Sequence, residues 1–250
     1  MHPIAFYIGA YPVYAYGICV VAGAVTLFAV ALAQARRAGR KREHIVPMAF
    51  GTLVGAFVGA RLTHLLVEPA KAAQLLDFYS MFQPRTPGNI IGLMIGGFLG
   101  GLVVRRSLDL PSLGNYYAPA FAAASVVWRV GCTCGGCCYG KPCNLPWAVH
   151  LDGADRHPTM IYEGLFNLVM FTVLWRLRYR IRRENELLYL YFAAYAIFRF
   201  WLEFLRVYPP IAFGLTGAQY LCMAILAWLG IYLWRRDGGR AVAPPREQLA

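Results

Sequence analysis

The sequence predicts an all-α, polytopic integral membrane protein with about seven transmembrane helices. Three observations carry this prediction. Hydrophobic residues make up 59% of the 250-residue chain and charged residues only 14%, well below the quarter that is usual in soluble proteins. The apolar residues form long segments without the alternation of a barrel strand. The basic residues lie in short clusters between these segments, which is typical of multi-pass membrane proteins.

Seven apolar segments are close to the ~20 residues that a helix needs to cross a bilayer. They are residues 13–34, 45–67, 88–104, 115–131, 159–175, 187–205 and 213–234. The third and fourth are short and either rich in glycine or interrupted. We therefore expect residues 1–236 to form one transmembrane domain. The tail at 237–250 is polar and rich in Gly and Pro, and is predicted to be a disordered cytoplasmic segment.

The charge of the connecting segments alternates from one side to the other. Sixteen of the 24 Lys and Arg residues follow the first, third, fifth and seventh spans. The opposite segments hold only Lys71, Arg85, Lys141 and Arg156. The positive-inside rule then places the N-terminus outside and the C-terminus in the cytoplasm. The net charge of +12 thus reflects topology, and no nucleic-acid partner is predicted.

Ionisable side chains inside the second and fifth spans are candidate functional residues, because charge is costly in lipid. Arg61 and His64 lie three residues apart on one face of the second span. The fifth span begins after His157 and carries Tyr162 and Glu163 in its first turns.

The sixth span carries a polar stripe in which Arg199, Glu203 and Arg206 follow one another at spacings of four and three. An Arg199–Glu203 pair that only holds helices together is the structural alternative. Arg206 adds positive charge beyond that pair, and a buried cation needs an anionic partner. A lipid phosphate fits, because guanidinium binds phosphate through two hydrogen bonds.

Five of the seven cysteines fall within "WRVGCTCGGCCYGKPCNLPW". A metal site is one interpretation, although compact cysteine spacing without a second ligand pair matches structural zinc modules poorly. A disulfide from Cys132 or Cys134 to Cys143 is a second. A nucleophilic thiol is a third, with Cys137 the first choice and Cys132 the second, because the nearby Arg129 favours a thiolate. Small residues that only let helix ends pack closely are the fourth.

The glycines of this stretch permit tight turns under every interpretation. The amides around Gly135 and Gly136 are candidates for an anion-binding nest that holds a phosphate, with Lys141 in support.

Several motifs together resemble the bacterial prolipoprotein diacylglyceryl transferase family. They are "HPIAFYIG" followed by "YG", "GARL", "RVG", "HPTMIYEGLFNL", "RFWLEFLR" and "GLTGAQYLCMAIL". The likeness runs from about His2 to Trp234 with the motifs in the same order. It implies a seven-span inner-membrane enzyme that moves the diacylglyceryl group of phosphatidylglycerol onto a lipobox cysteine and releases glycerol phosphate. The residues to which it assigns a function are Tyr16, Arg61, Arg129, Tyr162, Glu163, Arg199, Glu203 and Arg206.

The chain departs from the pattern of that family in its polar centre. Cys132, Gly135 and Cys137 stand where the family usually has Asn, Asn and Glu. Ile91 stands in place of a histidine that the family carries at the start of its third helix. The resemblance thus implies a retained scaffold with a centre rebuilt from thiols.

The expected mechanism needs neither a cofactor nor a metal. The groups expected to hold the lipid phosphate are all basic: Arg129, Arg199, Arg206 and Lys141. A thiol attacks, and His157, His64 or Glu163 accepts its proton. The expected partners are the bilayer, a phospholipid substrate and the signal-peptide region of a prolipoprotein. The alternatives are a different acceptor, a thiol–disulfide protein that uses the cysteine run, and a non-catalytic lipid-binding factor.

Overall fold

The computed structural model describes residues 4–9, 11–39, 42–67, 90–181 and 183–238. Each of the seven predicted segments forms a helix in these residues. The helices are α1 (Ala15–Arg37), α2 (Arg42–Val67), α3 (Ile90–Ser107), α4 (Gly114–Gly135), α5 (Thr159–Leu177), α6 (Glu186–Glu203) and α7 (Gly217–Gly238). The prediction of an all-α membrane protein is confirmed at this level. The predicted tail lies almost entirely outside the described residues.

Five helices of the described chain, α1, α2, α5, α6 and α7, are long and apolar enough to cross a membrane. α3 and α4 are not in this group. Large apolar side chains such as Phe50, Leu165 and Trp228 stay exposed along the five helices. A bilayer is the environment that covers such surfaces.

Two short antiparallel hairpins accompany the helices. β1 (Ile4–Ile8) pairs with β2 (Tyr11–Tyr14), and β3 (Val149–Leu151) pairs with β4 (Ala154–Arg156). These strands were not predicted from the sequence, because strands of three to five residues are too short to give a periodic signal.

The described residues divide into two units. The first contains the residues up to Leu188 together with Leu205–Val207, and the second contains Tyr189–Phe204 and the residues from Tyr208 onward. α1 to α5 therefore belong to the first unit, and α7 to the second. α6 begins in the first unit and continues in the second.

In the first unit, α2 and α3 touch through facing glycines. A Cβ added to Gly55 would lie 2.2 Å from the carbonyl oxygen of Gly96, and one added to Gly96 would lie 2.1 Å from that of Gly55. Gly59 and Gly100 extend the contact at spacings of four residues. Such small-residue rows let helices approach closely in membranes, where apolar burial between helices has little driving force.

A second contact in the first unit joins α1, α2 and α4. Leu27, Ala31, Ile45, Leu113 and Ala124 form part of its buried apolar cluster. The packing fixes α4 from its N-terminal half onward, and α4 carries the first candidate site residues at its C-terminal end.

Candidate active site

Two arginines share one buried carboxylate in the first unit. Arg129 near the end of α4 donates a hydrogen bond to Glu163 of α5, and Nη1 of Arg206 lies 3.7 Å from the other carboxylate oxygen. The side chains are 12%, 2% and 4% exposed, respectively. Two guanidinium groups and one carboxylate leave the trio with one net positive charge in a place where water cannot screen it.

Backbone hydrogen bonds hold Arg206 in this position. The amide of Lys141 donates to the carbonyl of Leu205 at 2.7 Å, and Gly140 forms an antiparallel bridge with Arg206. Gly140 is required here, since a Cβ would lie 2.5 Å from the Leu205 carbonyl oxygen and 2.8 Å from the Cβ of His157. The loop after α4 thus fixes a residue 66 positions further along the chain.

The end of α4 brings three thiols together. Gly136 is left-handed (φ 61°), and the amide of Cys137 donates to the Cys132 carbonyl at 3.1 Å, the arrangement of a Schellman cap. The thiol sulfurs of Cys132, Cys137 and Cys138 all lie within 4.8 Å of one another. Nη1 of Arg129 lies 3.9 Å from the Cys132 sulfur. We call these three residues the thiol cluster.

Cys138 has an unusual backbone. Its φ is +62°, a left-handed conformation that non-glycine residues adopt at a cost. The hydroxyl of Thr159 donates to its carbonyl at 2.5 Å, which helps to hold the turn. Hydrogen bonds from the Cys132 and Cys137 thiols hold the pKa of the Cys138 thiol well below its usual range, and Arg129 adds to the effect.

His157 and Tyr162 lie beside this loop. The amide of His157 donates to the Lys141 carbonyl at 3.1 Å. The His157 ring packs edge-on against the ring of Tyr162, with 6.3 Å between the two centroids. Nδ1 of His157 is buried and has no hydrogen-bond partner among the described residues. The Tyr162 hydroxyl accepts a hydrogen bond from Trp147 at 2.8 Å.

Tyr16, at the start of α1, completes this part of the site. Its Cα would lie 3.5 Å from a Cβ on Gly131, one residue before Cys132. The close approach of α1 and α4 at Gly131 brings Tyr16, which lies 115 positions earlier in the chain than Gly131, to the end of α4.

The second unit contains another buried ion pair, the one that the sequence offered as a structural alternative. Nη2 of Arg199 lies 2.8 Å from the Glu203 carboxylate, and the two side chains are 8% and 2% exposed. The Thr216 hydroxyl donates to the other Glu203 oxygen at 3.0 Å. The Gln219 side chain accepts from the Thr216 amide and donates to the carbonyl of Phe200. Arg199 and Glu203 are therefore paired as the helical spacing predicted.

The structure does not support the predicted amide nest. The amide of Gly136 donates to the carbonyl of Thr133, and that of Gly140 donates to the carbonyl of His157. These donors are committed to the protein's own oxygens, because they build the cap and the loop. Gly135 is the last residue of α4, and the Lys141 side chain is exposed.

Other predicted residues are not drawn into the thiol cluster. The guanidinium of Arg61 lies over the ring of Phe57, 5.8 Å from its centroid, on the same helix. Cys134 and Cys143 are not members of the cluster. None of the seven cysteines, all of which lie in the described residues, forms a disulfide. The side chain of His64 lies outside what the structure describes.

Cys138 and Thr159 were not among the site residues predicted from the sequence. The signal for Cys138 is its left-handed backbone, which no residue pattern displays, and Thr159 reads in the sequence as an ordinary first-turn residue of α5.

Comparison with known proteins gives the same family over nearly the whole chain. The sequence profile described as prolipoprotein diacylglyceryl transferase matches residues 3–235. The phosphatidylglycerol–prolipoprotein diacylglyceryl transferase of Clostridium tetani is 25% identical, with 95% of this chain and 98% of that protein covered. The transferases of that name from Finegoldia magna and Gloeobacter violaceus are 28% and 29% identical, covering 90% and 97% of this chain and 92% and 96% of their own lengths. The chain belongs to the prolipoprotein diacylglyceryl transferase family.

Proposed function

We propose that this chain transfers the diacylglyceryl group of phosphatidylglycerol to the thiol of a prolipoprotein cysteine and releases glycerol phosphate. The observation that carries the proposal is the buried trio of Arg129, Glu163 and Arg206 in a chain of this family. Its relatives from Clostridium tetani and Finegoldia magna bear the name of that reaction.

The trio suits a phosphate. The phosphodiester of phosphatidylglycerol carries one negative charge, which the net positive charge of the trio neutralises. As the carbon–oxygen bond breaks, a second negative charge grows on the leaving phosphate. Fixed guanidinium groups stabilise that charge without having to reorganise. Arg129 and Arg206 therefore bind the phosphate and promote its departure, and Glu163 holds both in place.

His157 is the stronger of the two predicted proton acceptors whose side chains the structure describes, the other being Glu163. Glu163 accepts a hydrogen bond from Arg129 and also faces Arg206, so its carboxylate is already engaged in holding the two arginines. The buried Nδ1 of His157 has no hydrogen-bond partner in the described chain, so it is available for a proton. Tyr162, packed against His157, then positions the ring.

We do not place the diacylglyceryl group on a thiol of the protein. A group attached to Cys137 or Cys132 would be a thioether, and an alkyl thiolate leaves carbon far less readily than a phosphate does. Such a species would trap the enzyme rather than divide the reaction into two easier steps.

Arg199 and Glu203 stay predicted catalytic residues on the basis of the sequence, within the second unit. Substitution of Arg199 by Gln tests this. Loss of lipid transfer with the redox state of the cysteines unchanged would favour transfer over thiol–disulfide exchange.

The topology of the proposal is seven spans in the bacterial inner membrane, with the N-terminus outside. The helix ends support it, since basic pairs lie in the last turns of alternate helices. These pairs are Arg36 and Arg37, Arg105 and Arg106, and Arg235 and Arg236. Lipid and prolipoprotein then meet the thiol cluster from the outer leaflet.

The decisive experiment uses the purified full chain in detergent or nanodiscs with phosphatidylglycerol and a lipobox peptide. Mass spectrometry is expected to find a thioether-linked diacylglyceryl peptide and an equal amount of glycerol phosphate. A peptide with Ser in place of its Cys is the control and should remain unmodified. Consumption of neither lipid nor peptide would refute the proposal, and consumption of lipid alone would point to another acceptor.

A further inference from the structure

Three thiols converge on one point at the end of α4, and the proposed reaction assigns them no task. The sulfurs of Cys132, Cys137 and Cys138 lie within 4.8 Å of one another. Three thiolates bound to one tetrahedral zinc ion at ~2.3 Å lie about 3.8 Å apart. Small rotations of the side chains therefore suffice to bring all three within bonding distance of one ion.

The donor set selects the class of ion. Thiolates are soft ligands that favour zinc or monovalent copper over magnesium or calcium. Three thiolates and one divalent cation carry a net charge of minus one. Arg129, whose Nη1 lies 3.9 Å from the Cys132 sulfur, places a positive charge beside these thiolates. Cys132 is 7% exposed, whereas Cys137 and Cys138 are only partly buried, which leaves one side of the cluster open.

Hydrogen bonds from the surrounding structure hold the backbone of the thiol cluster in place. Cys138 holds a left-handed conformation, and such strained residues persist only where the surroundings fix them. Its carbonyl is fixed by Thr159 and the amide of Cys137 by the cap of α4. Cys134, between Cys132 and Cys137 in sequence, stays outside.

We propose that Cys132, Cys137 and Cys138 bind one zinc ion and that its fourth position binds the acceptor thiol. Three protein ligands with an open fourth position are the pattern of catalytic zinc sites. A thiol that coordinates zinc is deprotonated. The second part rests on the proposed transfer reaction, and it gives a chain with Ile91 in the place of the family histidine another way to generate a nucleophile.

The step balances without a redox partner. The acceptor S–H loses its proton to His157 as the sulfur coordinates zinc. A lone pair of that sulfur then forms the new carbon–sulfur bond to the glyceryl carbon of the lipid. The carbon–oxygen bond breaks, and its electron pair leaves on glycerol phosphate. The zinc ion keeps its charge, and the thioether product, a weaker ligand, dissociates.

Metal binding is tested on the reduced, metal-depleted full chain. Titration with Zn²⁺ is expected to give one bound equivalent, and Co²⁺ is expected to show sulfur-to-cobalt charge-transfer absorption. Cys137→Ser and Cys138→Ser should each weaken Zn²⁺ binding at least tenfold. The matched controls Cys134→Ser and Cys143→Ser should keep the full equivalent. Absence of binding, or equal weakening in the controls, would overturn the proposal.

A second measurement avoids variants that fail to fold. In the unaltered protein, bound Zn²⁺ should protect Cys132, Cys137 and Cys138 from alkylation and leave Cys134 and Cys143 as reactive as before. Peptide mass spectrometry reads all five positions. Equal reactivity with and without Zn²⁺, or a disulfide within the thiol cluster of the freshly purified protein, would overturn the proposal.

The role of the open position is tested with the Co²⁺-loaded protein. The lipobox peptide should change the charge-transfer absorption as a fourth sulfur binds, and its Cys→Ser counterpart should not. Metal removal should lower transfer at least tenfold, and Zn²⁺ should restore it. Full transfer by metal-free protein would refute the zinc role and leave the proposed function standing. Zn²⁺ binding with no transfer by any form would refute the proposed function instead.

Discussion

Replacement of Arg206 by Gln separates a phosphate-binding role from a structural one. The side chain is 4% exposed, and its Nη1 lies 3.7 Å from the carboxylate of Glu163. In the variant, Glu163 keeps its hydrogen bond from Arg129, so no carboxylate is left without a cation. The backbone bridge to Gly140 does not involve the side chain and is also kept.

The expected effect on stability is small. A charge pair near 4 Å gains about 4 kcal/mol at an effective dielectric constant of 20. The variant loses that attraction, but it also avoids the desolvation of a buried guanidinium, which costs several kcal/mol. The two changes oppose each other, so we expect the free energy of unfolding of Arg206→Gln to be close to that of the unaltered chain.

The expected effect on the reaction is large. The charge on the phosphate rises from one to two during the reaction. A guanidinium near 4 Å gains about 4 kcal/mol for a full added charge, hence about 2 kcal/mol if half of it has developed in the transition state. Loss of one preorganised donor in other enzymes costs about 3 kcal/mol or somewhat more. We therefore expect kcat to fall by a factor of about 30 to 300.

The assay follows glycerol phosphate and diacylglyceryl peptide with saturating lipid, alongside thermal unfolding in the same detergent. Arg206→Lys is the companion variant. Its kcat should lie between those of Arg206→Gln and the unaltered chain, since Lys keeps the charge but loses the planar pair of donors. Turnover of Arg206→Gln within threefold of the unaltered chain, at unchanged stability, would refute the assignment of Arg206 to the phosphate.

Three further outcomes follow from the described contacts. Glu163→Gln should lower the free energy of unfolding by about 3–5 kcal/mol, because it leaves two buried guanidinium groups without their carboxylate; denaturant titration measures this, and a loss below 1 kcal/mol would contradict it. Gly55→Leu should cost about 1–3 kcal/mol or more through overpacking against α3, and thermal unfolding measures this loss. Gly230→Ala is the control: no atom lies near the added Cβ, and Ala favours a helix, so this variant should not be destabilised. Thr159→Val should cost about 1 kcal/mol, because the partly buried Cys138 carbonyl loses its donor; stability equal to that of Thr159→Ser would count against this contact.

The number and positions of the helices were predictable from hydropathy, because in lipid a backbone must satisfy its own hydrogen bonds and an apolar run of that length has little alternative to a helix. All seven predicted segments became helices within a few residues of their predicted limits. The hairpins were missed because their pairing depends on turns such as Asp152–Gly153, where both residues are left-handed.

The candidate site was only partly predictable. The Arg199–Glu203 pair, which was the structural alternative to a phosphate-binding Arg199, could be anticipated because both residues lie on one helix at a spacing of four. Glu163 and Arg206 were each singled out as costly in lipid, but their contact joins positions 43 residues apart on different segments. No pattern within one segment contains that information.

The anion-binding amide nest was predicted from the sequence but is not supported by the structure. A run of glycines beside a lysine has the composition of an anion-binding loop, but composition does not say where each amide points. The amides of Gly136 and Gly140 donate to backbone carbonyls in the cap of α4 and in the loop that follows it, so they are not available to an anion.

The sequence by itself determined the membrane class, the helices, the family and the list of residues that are expensive to bury, because each of these follows from local composition or from motifs in order. Only the tertiary structure decided which of those residues meet. It gave Arg129 and Arg206 a single carboxylate, and it turned three of five neighbouring cysteines toward one point. The physical reason is that the left-handed turns after α4 and the close approach of Gly140 fix directions that side-chain chemistry alone does not specify.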